Sequence, residues 1–413
     1  MDNVLYTYDE IRCMHLELTN GCNSKCPMCP RYITNGGKIN PLLKLDEVSL
    51  DQFKDWFDVE FVKKLHWVMS CGNYGDPIVA KDMLEIYDYM RSNNQQMGLR
   101  VHTNASARST DWWKELGKMC NLSERGDYIT FSIDGLEDTN HLYRRGTVFS
   151  KILENVKAFI SAGGIAHWDY IVFRHNEHQV DTAFKLAKKL GFKNFNIKRT
   201  SRWNWFDDEG LGMYDVKDKN DNIIYTYRQP LNEKYREDAF KIFKNNLDNG
   251  PTNLTEGERF IIRDILEQWD PETKTDIKIK HNTIPIKCRA QHVDKKYGGN
   301  GGGDEIFLTA NGYIYPCCFL GGIHDSHFGN VEAKDGKDAM LLLLEKNGGL
   351  DSISLKKHNL RKILESDLYN KMIVETFELG HPHRSFQCSS CCGESNLLDS
   401  GELGNKHKGY INE

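Results

Sequence analysis

Three cysteines, Cys22, Cys26 and Cys29, lie in one short loop at the spacing C-x-x-x-C-x-x-C. A cubane iron–sulfur cluster normally takes four thiolates, so three local cysteines would leave one iron open to an exogenous ligand. Pro27 and Pro30 fix their own backbone angles and disfavour helix in the preceding residue, which keeps the loop wrapped. The loop therefore predicts a cluster with one vacant coordination position.

A structural zinc site is the alternative interpretation of the same loop. Such a site needs a fourth cysteine or histidine nearby. His15 is the only close candidate, and it falls inside the strand-like run before the loop. On the loop alone we favour the cluster.

Composition and charge exclude several classes of protein. A chain of 413 residues is long enough for one large and one smaller domain. A formal net charge of −5 argues against a general nucleic-acid-binding protein. The N-terminal residues do not form a signal peptide, and the longest apolar run, residues 339–344, is too short to cross a bilayer. Twelve cysteines without an export signal indicate metal ligands, so we expect a cytoplasmic protein with no membrane association.

The first half of the chain alternates strand and helix six times. The segments between the strands carry apolar residues at helical spacing. Strands are predicted at residues 12–19, 65–70, 99–103, 128–133, 167–173 and 195–199. Repeated strand–helix units imply a parallel sheet covered by helices. We therefore predict an α/β fold, a partial (β/α)6 TIM-like barrel over residues 1–200, with its chemistry at the C-terminal strand ends, where the cysteine loop lies.

Polar or glycine-rich residues follow the other predicted strands. After the second strand comes Cys71, and then a segment suited to a ligand, since its glycines allow close approach to the backbone and Asp76 could receive an ammonium group. The segment consists of Gly72, Asn73, Tyr74, Gly75, Asp76 and Pro77. Polar residues at later strand ends are His102, Asn104, Ser132, Asp134, Asn176 and Lys198. Turn formation explains any one of these; together, beside three cysteines, they predict a binding site.

Residues 11–200 resemble the radical S-adenosylmethionine (SAM) superfamily. The resemblance implies that SAM chelates the open iron, that the reduced cluster cleaves SAM, and that the 5′-deoxyadenosyl radical removes a hydrogen atom from substrate. It also implies a reductant protein of the flavodoxin or ferredoxin type.

The same resemblance assigns cofactor contacts. It places Met28 near the adenine and residues 72–77 at the SAM amino group, although Asn73-Tyr74 intervene and Asp76 stands where glutamate is frequent. Ser132 and Asp134 match a fourth-strand motif, and Arg144 a recurrent arginine beyond it. With the neighbouring strand ends, we expect Asn104 and Asn176 to contribute.

A second group of cysteines lies in the C-terminal part. Asn311-Gly312 between two alternating runs predicts a hairpin that delivers Cys317 to a strand end. Cys288 precedes this hairpin, and a C-x-x-C pair, Cys388 and Cys391, comes late in the chain. Four thiolates suit either zinc or a fully ligated cluster.

These cysteines resemble the SPASM or shorter twitch domain appended to many radical SAM enzymes. The full SPASM form binds two auxiliary clusters, but residues 319–387 contain no cysteine. The resemblance therefore implies one auxiliary [4Fe–4S] cluster in a small α+β domain over residues 288–413, held by Cys288, Cys317, Cys388 and Cys391. Cys318 and Cys392 are adjacent alternatives.

Residues 201–287 are predicted to be an insert between the two domains. An Asn/Asp turn predicts a hairpin over 216–225, and helices are predicted near 235–246 and 255–267. The aromatic run at 202–206 could line a substrate pocket, but we favour packing on the barrel.

We predict an oxidoreductase that cleaves SAM reductively and abstracts hydrogen from a peptide or protein side chain or from a sugar- or nucleotide-type small molecule. A fully ligated auxiliary cluster favours acceptance of an electron, as in dehydrogenation, crosslinking or decarboxylation. One alternative is a radical epimerase in which Cys71 or Cys318 returns a hydrogen. Another is a non-catalytic iron–sulfur electron carrier or zinc-binding interaction protein. Since the first strand lies near the N-terminus, we expect no leader-peptide-binding domain before it.

Overall fold

The computed structural model describes most of the barrel and part of the C-terminal region. The described ranges are 5–33, 35–123, 125–200, 202–207, 209–236, 304–321, 339–381 and 408–410, with single residues 285, 286, 288, 290, 384, 388 and 392. The strands in these ranges are β1 Cys13–Leu16, β2 Tyr32–Ile33, β3 Lys38–Ile39, β4 Trp67–Ser70, β5 Gly98–Thr103, β6 Tyr128–Ser132, β7 Ala166–Ile171, β8 Asn194–Lys198, β9 Trp205–Phe206, β10 Gly212–Lys217, β11 Ile223–Arg228, β12 Glu305–Leu308, β13 Ile314–Tyr315 and β14 Lys408–Tyr410.

The helices are mostly short and lie between the strands. They are α1 Leu50–Trp56, α2 Val59–Lys64, α3 Met83–Asn93, α4 Thr110–Met119, α5 Asn140–Tyr143, α6 Phe149–Ser161, α7 Val180–Leu190, α8 Cys318–Gly321, α9 Ala339–Lys346, α10 Leu360–Leu364 and α11 Ile373–Glu375. A π-helical turn, Leu368–Met372, precedes α11. None of the helices in the described ranges is long and apolar enough to span a bilayer.

Among the described residues, nine strands form one sheet in the order β13-β12-β1-β4-β5-β6-β7-β8-β14. The neighbours from β12 to β8 all pair in parallel, whereas β13 and β14 pair antiparallel at the two edges. The six predicted strands are confirmed as β1 and β4 to β8, in chain order across the sheet. The predicted α/β fold, a partial barrel, is therefore confirmed.

The predicted C-terminal hairpin is present and extends this sheet. Strands β12 and β13 pair antiparallel, and Gly312 in their turn has a φ of +85°, which glycine adopts readily. Strand β12 lies parallel to β1, so the main sheet continues past residue 287, where the sequence suggested the start of a separate domain. The hairpin thus lies beside the strand that leads into the cysteine loop.

The two faces of the sheet differ in character. Residues alternate between faces along a strand. On the outer face Val68, Leu99, Ile129 and Trp168 are fully buried in the core under the helices. The inner face, the inside of the partial barrel, carries polar side chains instead. They are His15, Arg100, His102, Thr130, Asp169, Asn196 and Lys198.

Local signals set the helix ends as the sequence predicted. Ser49 and Gln52 form a capping box at α1, with Gln52 N donating to Ser49 Oγ at 3.2 Å and Ser49 N to Gln52 Oε1 at 3.0 Å. Helix α7 ends at Gly191, whose φ is +89°. Such ends fix where each strand begins, and hence the register of the barrel.

The insert folds over the cysteine loop. Strands β9, β10 and β11 form a three-stranded antiparallel sheet that includes the predicted hairpin. Tyr214 Oη donates to Pro27 O at 2.9 Å, and Arg202 Nη1 to Met28 O at 2.9 Å. Tyr227 Oη donates to Leu142 O at 2.6 Å. The insert therefore packs on the barrel, as favoured from the sequence; its predicted helices lie outside the described residues beyond 236.

Candidate functional site

The three cysteines of the first loop lie close together at the C-terminal end of β1. Cys29 N donates to Cys26 O at 3.0 Å, which closes the C-x-x-C turn. Burial, together with the charge of Cys26, raises the pKa of Cys29 to about 11. Burial also raises the pKa of Cys22, with contributions from Asp76 and the other two cysteines. These thiols would be thiolates only beside a compensating positive charge, such as a metal centre.

Hydrogen-bond donors point at two of the sulfurs. Arg144 Nη1 lies 3.7 Å from Cys26 Sγ, and Asn104 Nδ2 lies 3.8 Å from Cys22 Sγ. Ser24 adds its backbone amide as a donor, 3.4 Å from Cys22 Sγ. Its hydroxyl lies 3.1 Å from Cys26 Sγ and also donates to Arg145 O at 3.3 Å. Donors of this kind stabilise thiolate ligands and tune iron–sulfur clusters. The loop therefore has the donor set that fits a cluster held by three cysteines.

A single metal ion would require a different arrangement. Within the described ranges, no three His, Cys, Asp or Glu side chains are placed so that they could hold one ion. In a cubane each cysteine binds its own iron, so the thiolates need not converge on a point. The positions of Cys22, Cys26 and Cys29 are consistent with that geometry.

Glu17 shapes the glycine-rich loop. Its Oε1 accepts hydrogen bonds from two consecutive backbone amides, Tyr74 N at 2.7 Å and Gly75 N at 3.1 Å. Glu17 is 2% exposed and follows β1 directly. The Glu17 carboxylate, at the end of β1, thus holds the glycine-rich loop that follows β4.

The loop leaves no room for side chains at its glycines. A Cβ on Gly75 would lie 1.8 Å from Thr19 O, and one on Gly72 would lie 2.5 Å from Gly75 O. The glycine-rich loop therefore contacts the backbone just before Cys22. Both glycines are needed for this close approach.

Asp76 connects three strand ends. Its backbone amide donates to Gly21 O at 2.8 Å, its Oδ2 accepts from Asn104 N at 2.7 Å, and its Oδ1 accepts from Ile78 N at 3.2 Å. Asn104 Nδ2 continues the network to Asn23 Oδ1 at 2.9 Å. Burial raises the pKa of Asp76, while the amide hydrogen bonds oppose this. Each carboxylate oxygen of Asp76 already accepts one backbone amide. An ammonium group would therefore bind the lone pairs of these oxygens that the amides do not use.

Asp134 and Arg144 form a buried ion pair beside the cysteine loop. Arg144 Nε lies 2.5 Å from Asp134 Oδ2, and Asp134 Oδ1 accepts from Ile171 N at 2.6 Å. Burial raises the pKa of Asp134, which Arg144 opposes. Burial disfavours the Arg144 cation, but the charges of Asp134 and Cys26 outweigh this effect and hold its pKa above the usual value. Arg144 therefore brings a positive charge to Cys26.

The other predicted cofactor residues, Met28, Asn176 and Ser132, lie in three different surroundings. Met28 is 4% exposed and packs among aromatic side chains, including Tyr143 and Trp203. Asn176 is fully buried, and its Nδ2 donates to Asp134 O at 2.9 Å and Ile171 O at 3.0 Å. Ser132 is half-buried at the end of β6. Asn176 thus supports the Asp134 turn, whereas Ser132 lies on the inner face.

The second cysteine group also comes together in the described residues. Burial raises the pKa of Cys317, and the neighbouring charges of Cys318, Cys288 and Cys388 raise it further. Cys391 lies outside the described residues. Asn73 Nδ2 donates to Cys318 O at 2.8 Å. The glycine-rich loop therefore contacts the hairpin that carries the second group.

The sequence did not show that these polar side chains share one face, the inner face of the barrel. Lys198 forms an ion pair with Asp169, and Asn196 Nδ2 donates to Asp169 Oδ1 at 2.9 Å. Burial would raise the pKa of Asp169, but Lys198 and His102 lower it below its usual value. Burial lowers the pKa of His102 to about 4, so its imidazole is neutral at pH 7. Alternation of polar and apolar residues within each strand was the signal that could have identified this face.

The fold and the site together define a class: a partial parallel α/β barrel with three clustered thiols at the C-terminal end of its first strand. Residues 16–187 match the family model described as Radical SAM superfamily. This part of the chain therefore resembles a radical SAM superfamily domain, and that family implies a [4Fe–4S] cluster and SAM as cofactors.

Several solved structures are similar in fold to this chain. A tagged form of anSMEcpe with bound AdoMet is 13% identical, covers 87% of this chain and 79% of its own, and has a TM-score of 0.44. SuiB of Streptococcus suis bound to its precursor peptide SuiA is 10% identical, with coverage of 94% and 77% and a TM-score of 0.46. BtrN in complex with AdoMet and 2-DOIA is 9% identical, with coverage of 95% and 96% and a TM-score of 0.40. With TM-scores this low, the assignment rests on the family match.

Proposed function

We propose that this protein is a radical SAM oxidoreductase whose first cluster is held by Cys22, Cys26 and Cys29. When bound, the cluster supplies the electron that cleaves SAM, and SAM supplies the 5′-deoxyadenosyl radical that abstracts hydrogen from substrate. The observation that carries the proposal is the loop of three cysteines in which Arg144 approaches Cys26 and Asn104 approaches Cys22, beside a loop with no space at its glycines.

The chain's own residues position and shield this chemistry. Glu17 holds the amides of Tyr74 and Gly75, which sets the shape of the loop proposed to receive the SAM amino group. Asp134 orients Arg144 toward Cys26. The insert covers the cysteine loop through Tyr214 and so restricts access of water to it.

We place the substrate at the polar inner face of the barrel. A closed barrel interior is normally filled with branched apolar side chains. Here His102, Asn196 and Lys198 are only half-buried on that face, while the residues of the outer face are fully buried. Such side chains favour a substrate with hydrogen-bonding groups, which suits a sugar- or nucleotide-type molecule or a polar peptide side chain.

We further propose one auxiliary [4Fe–4S] cluster at Cys288, Cys317 and Cys388, with Cys391 as the fourth ligand. Its proposed role is to accept an electron from the substrate radical, giving oxidation, crosslinking or decarboxylation. The contact between Asn73 and Cys318 supports this role, because it joins the proposed SAM loop to the second cysteine group. A flavodoxin- or ferredoxin-type protein would supply reducing electrons.

Radical epimerisation is a second candidate because of Cys71. Burial raises the pKa of this thiol to about 12, so it keeps the hydrogen that an epimerase must return to the substrate radical. The resulting sulfur radical would require an electron, from the auxiliary cluster, and a proton. Incorporation of solvent deuterium into substrate, lost in Cys71→Ala, would distinguish epimerisation from oxidation.

Anaerobic reconstitution tests the proposal directly. The protein is loaded with iron and sulfide, incubated with SAM and dithionite, and assayed for 5′-deoxyadenosine by liquid chromatography. Formation of 5′-deoxyadenosine supports the enzyme, whereas its absence with intact clusters would support an electron carrier. Iron counting adds a second test, with about eight irons for two cubanes and about four for one cubane plus zinc.

A further inference from the structure

A mixed basic and apolar surface lies beside the first cysteine loop. Ile39, Leu42 and Leu45 are 52%, 50% and 67% exposed, and the lysines around them are exposed as well. We call this set the rim surface; its members are Lys25, Lys38, Ile39, Leu42, Lys44 and Leu45. Large aliphatic side chains that are grouped on a surface and bordered by charges are typical of a protein-binding site.

Strand β2 attaches the rim surface to the cysteine loop. Tyr32 N donates to Cys29 O at 2.9 Å, and Tyr32 Oη donates to Ser24 O at 3.3 Å. Ile39 of β3 pairs with Tyr32 across the hairpin, and Lys25 follows Ser24 directly. The two ends of the rim surface, Lys25 and Ile39, are therefore joined through one tyrosine.

The segment after β3 is fixed in the same way. Asn40 N donates to Arg31 O at 2.9 Å, and Leu42 N donates to Asn40 Oδ1 at 3.0 Å. Asn20 Nδ2 donates to Lys44 O at 2.6 Å, two residues before the first cysteine. The exposed side chains of Leu42 and Lys44 are thus carried on backbone that is bound to the cysteine loop.

The rim surface is the outward side of this loop. On another side the insert covers it, because Tyr214 and Arg202 donate to Pro27 O and Met28 O, each at 2.9 Å. The barrel interior is the proposed place of SAM and substrate. Among the described residues, the rim surface is therefore the approach that suits a protein delivering electrons to the first cluster.

The charge of the rim surface favours an acidic partner. Its three lysines are offset by one carboxylate, Asp221, which lies 3.6 Å from one of them. The next carboxylates along the chain have other partners, since Asp46 pairs with Lys356 at 2.8 Å and Glu47 Oε2 accepts from Lys81 N at 3.2 Å. The rim surface is thus positive on a chain with a formal net charge of −5. Complementary charge steers the encounter of such partners.

We propose that the rim surface docks a small acidic one-electron carrier of the flavodoxin or ferredoxin type, which reduces the first cluster. This inference rests on the proposed function, since it requires a cluster at Cys22, Cys26 and Cys29. The reduced carrier gives one electron to the oxidised cluster and leaves in its own oxidised form. A surface of six residues suits such a transient complex, because electron-transfer interfaces bury less than about 1,200 Å².

The test compares two sources of electrons in anaerobic formation of 5′-deoxyadenosine. One is a bacterial flavodoxin kept reduced by its NADPH-dependent reductase, and the other is dithionite. In the double variant Leu42→Asp, Lys44→Glu, kcat/KM for flavodoxin should fall at least about tenfold, since one positive charge is lost and two negative charges are gained. The rate with dithionite should stay within about twofold. An unchanged kcat/KM for flavodoxin, or equal losses with both reductants, would overturn the proposal.

Ile165→Asp, Lys193→Glu is the matched control. Ile165 is 39% exposed, Lys193 is exposed, and Lys193 N donates to Ala166 O at 2.8 Å. This pair lies where β7 and β8 begin, at the end of the barrel opposite the cysteine loop. The control introduces the same charges and should keep both rates. A loss with flavodoxin equal to that of the rim variant would show a general charge effect and overturn the docking.

Cross-linking provides a measurement that needs no active enzyme. The wild-type protein is mixed with flavodoxin and a carbodiimide, which joins lysines to carboxylates in contact, and mass spectrometry locates the links. We expect links from Lys38 or Lys44 to flavodoxin, lost at about 0.5 M NaCl because salt screens exposed charges. Links from Lys193 alone, or from Lys44 to a second copy of this chain, would overturn the docking. Rim links without 5′-deoxyadenosine from dithionite would instead count against the proposed SAM cleavage and leave the docking in place.

Discussion

The guanidinium of Arg144 bridges Asp134 and Cys26: its Nε lies 2.5 Å from Asp134 Oδ2 and its Nη1 lies 3.7 Å from Cys26 Sγ. Asp134 follows the fourth strand of the predicted set, and Cys26 lies in the loop after the first. The ion pair thus links the loop after the fourth predicted strand to the cysteine loop after the first. Asp134 is fully buried, and the side chain of Arg144 is 17% exposed.

Asp134→Asn should destabilise the protein by about 3 kcal/mol, because removing one partner of a buried ion pair leaves the other charge uncompensated. Anaerobic urea unfolding measures the change. Glu115→Gln is the control, since the pair between Glu115 and Lys118 is exposed and should contribute less than about 1 kcal/mol. Equal effects of the two variants would contradict a structural role for the buried pair.

Glu17→Ala should weaken SAM binding at least about tenfold, a loss of about 1.4 kcal/mol. The amides of Tyr74 and Gly75 would lose their acceptor, and the glycine-rich loop would relax. Anaerobic calorimetry measures the Kd. Glu17→Gln keeps a carbonyl oxygen at the same place and should bind SAM more tightly than Glu17→Ala; indistinguishable affinities of wild type and Glu17→Ala would rule out this role.

Gly75→Ala should reduce 5′-deoxyadenosine formation more than about 100-fold, because overpacking here displaces the backbone around Thr19. The measurement is the initial rate with SAM and dithionite. Gly126→Ala is the control, since no heavy atom lies within 4 Å of its Cβ position and its φ of +90° costs only about 1 kcal/mol. If Gly75→Ala retains the wild-type rate, the glycine-rich loop does not serve SAM.

Cys26→Ala should abolish SAM cleavage and lower the iron content from about eight to about four per chain. The C-terminal centre should remain, because its cysteines lie on other parts of the chain. Iron analysis and electron paramagnetic resonance measure both outcomes. Cys120→Ala replaces a buried thiol in the helical core and should keep both centres; loss of both centres in Cys26→Ala would contradict two independent sites.

His15 should make the folding stability depend on pH. Burial lowers its pKa to about 4, from an unfolded value of 6.5, and its Nε2 lies 2.6 Å from Cys71 O. Below pH 6.5 the unfolded chain binds this proton and the folded chain does not, so stability falls as the pH falls toward 4. Between pH 7 and pH 5 the contribution is about 2 kcal/mol.

The measurement compares urea unfolding of wild type and His15→Gln at pH 7 and pH 5. Asp76 and Asp134 have raised pKa values and shift stability in the opposite sense, so the difference between the two proteins isolates His15. Wild type should lose about 2 kcal/mol more than the variant between the two pH values. Parallel changes in both proteins would show that His15 is not held neutral.

The sequence predicted the six central strands because strand-like runs alternate with segments that carry apolar residues at helical spacing. This pattern is local to each segment. The capping box at Ser49 and the turn at Gly312 were also visible, since both depend on a few adjacent residues. Grouping of Cys22, Cys26 and Cys29 followed from spacing within one loop. Most predicted strand boundaries came within a few residues for the same reason.

Residues far apart in the chain were brought together only by folding. Asn73 and Cys318 meet because β12 pairs with β1, and no local pattern identifies which strand edge a late hairpin will join. Glu17 was overlooked because a lone carboxylate after a strand has no signature until the glycine-rich loop lies above it.

By itself, then, the sequence determined the class of fold and the three-cysteine loop, since these depend on periodicity and short spacing. The expectation of SAM chemistry came from the resemblance of these motifs to the radical SAM superfamily. Only the tertiary structure decided which donors reach the sulfurs, which face of the sheet is polar and which loops share a carboxylate. Those features depend on strand order and register, which are set by packing of the whole chain and not by any one segment.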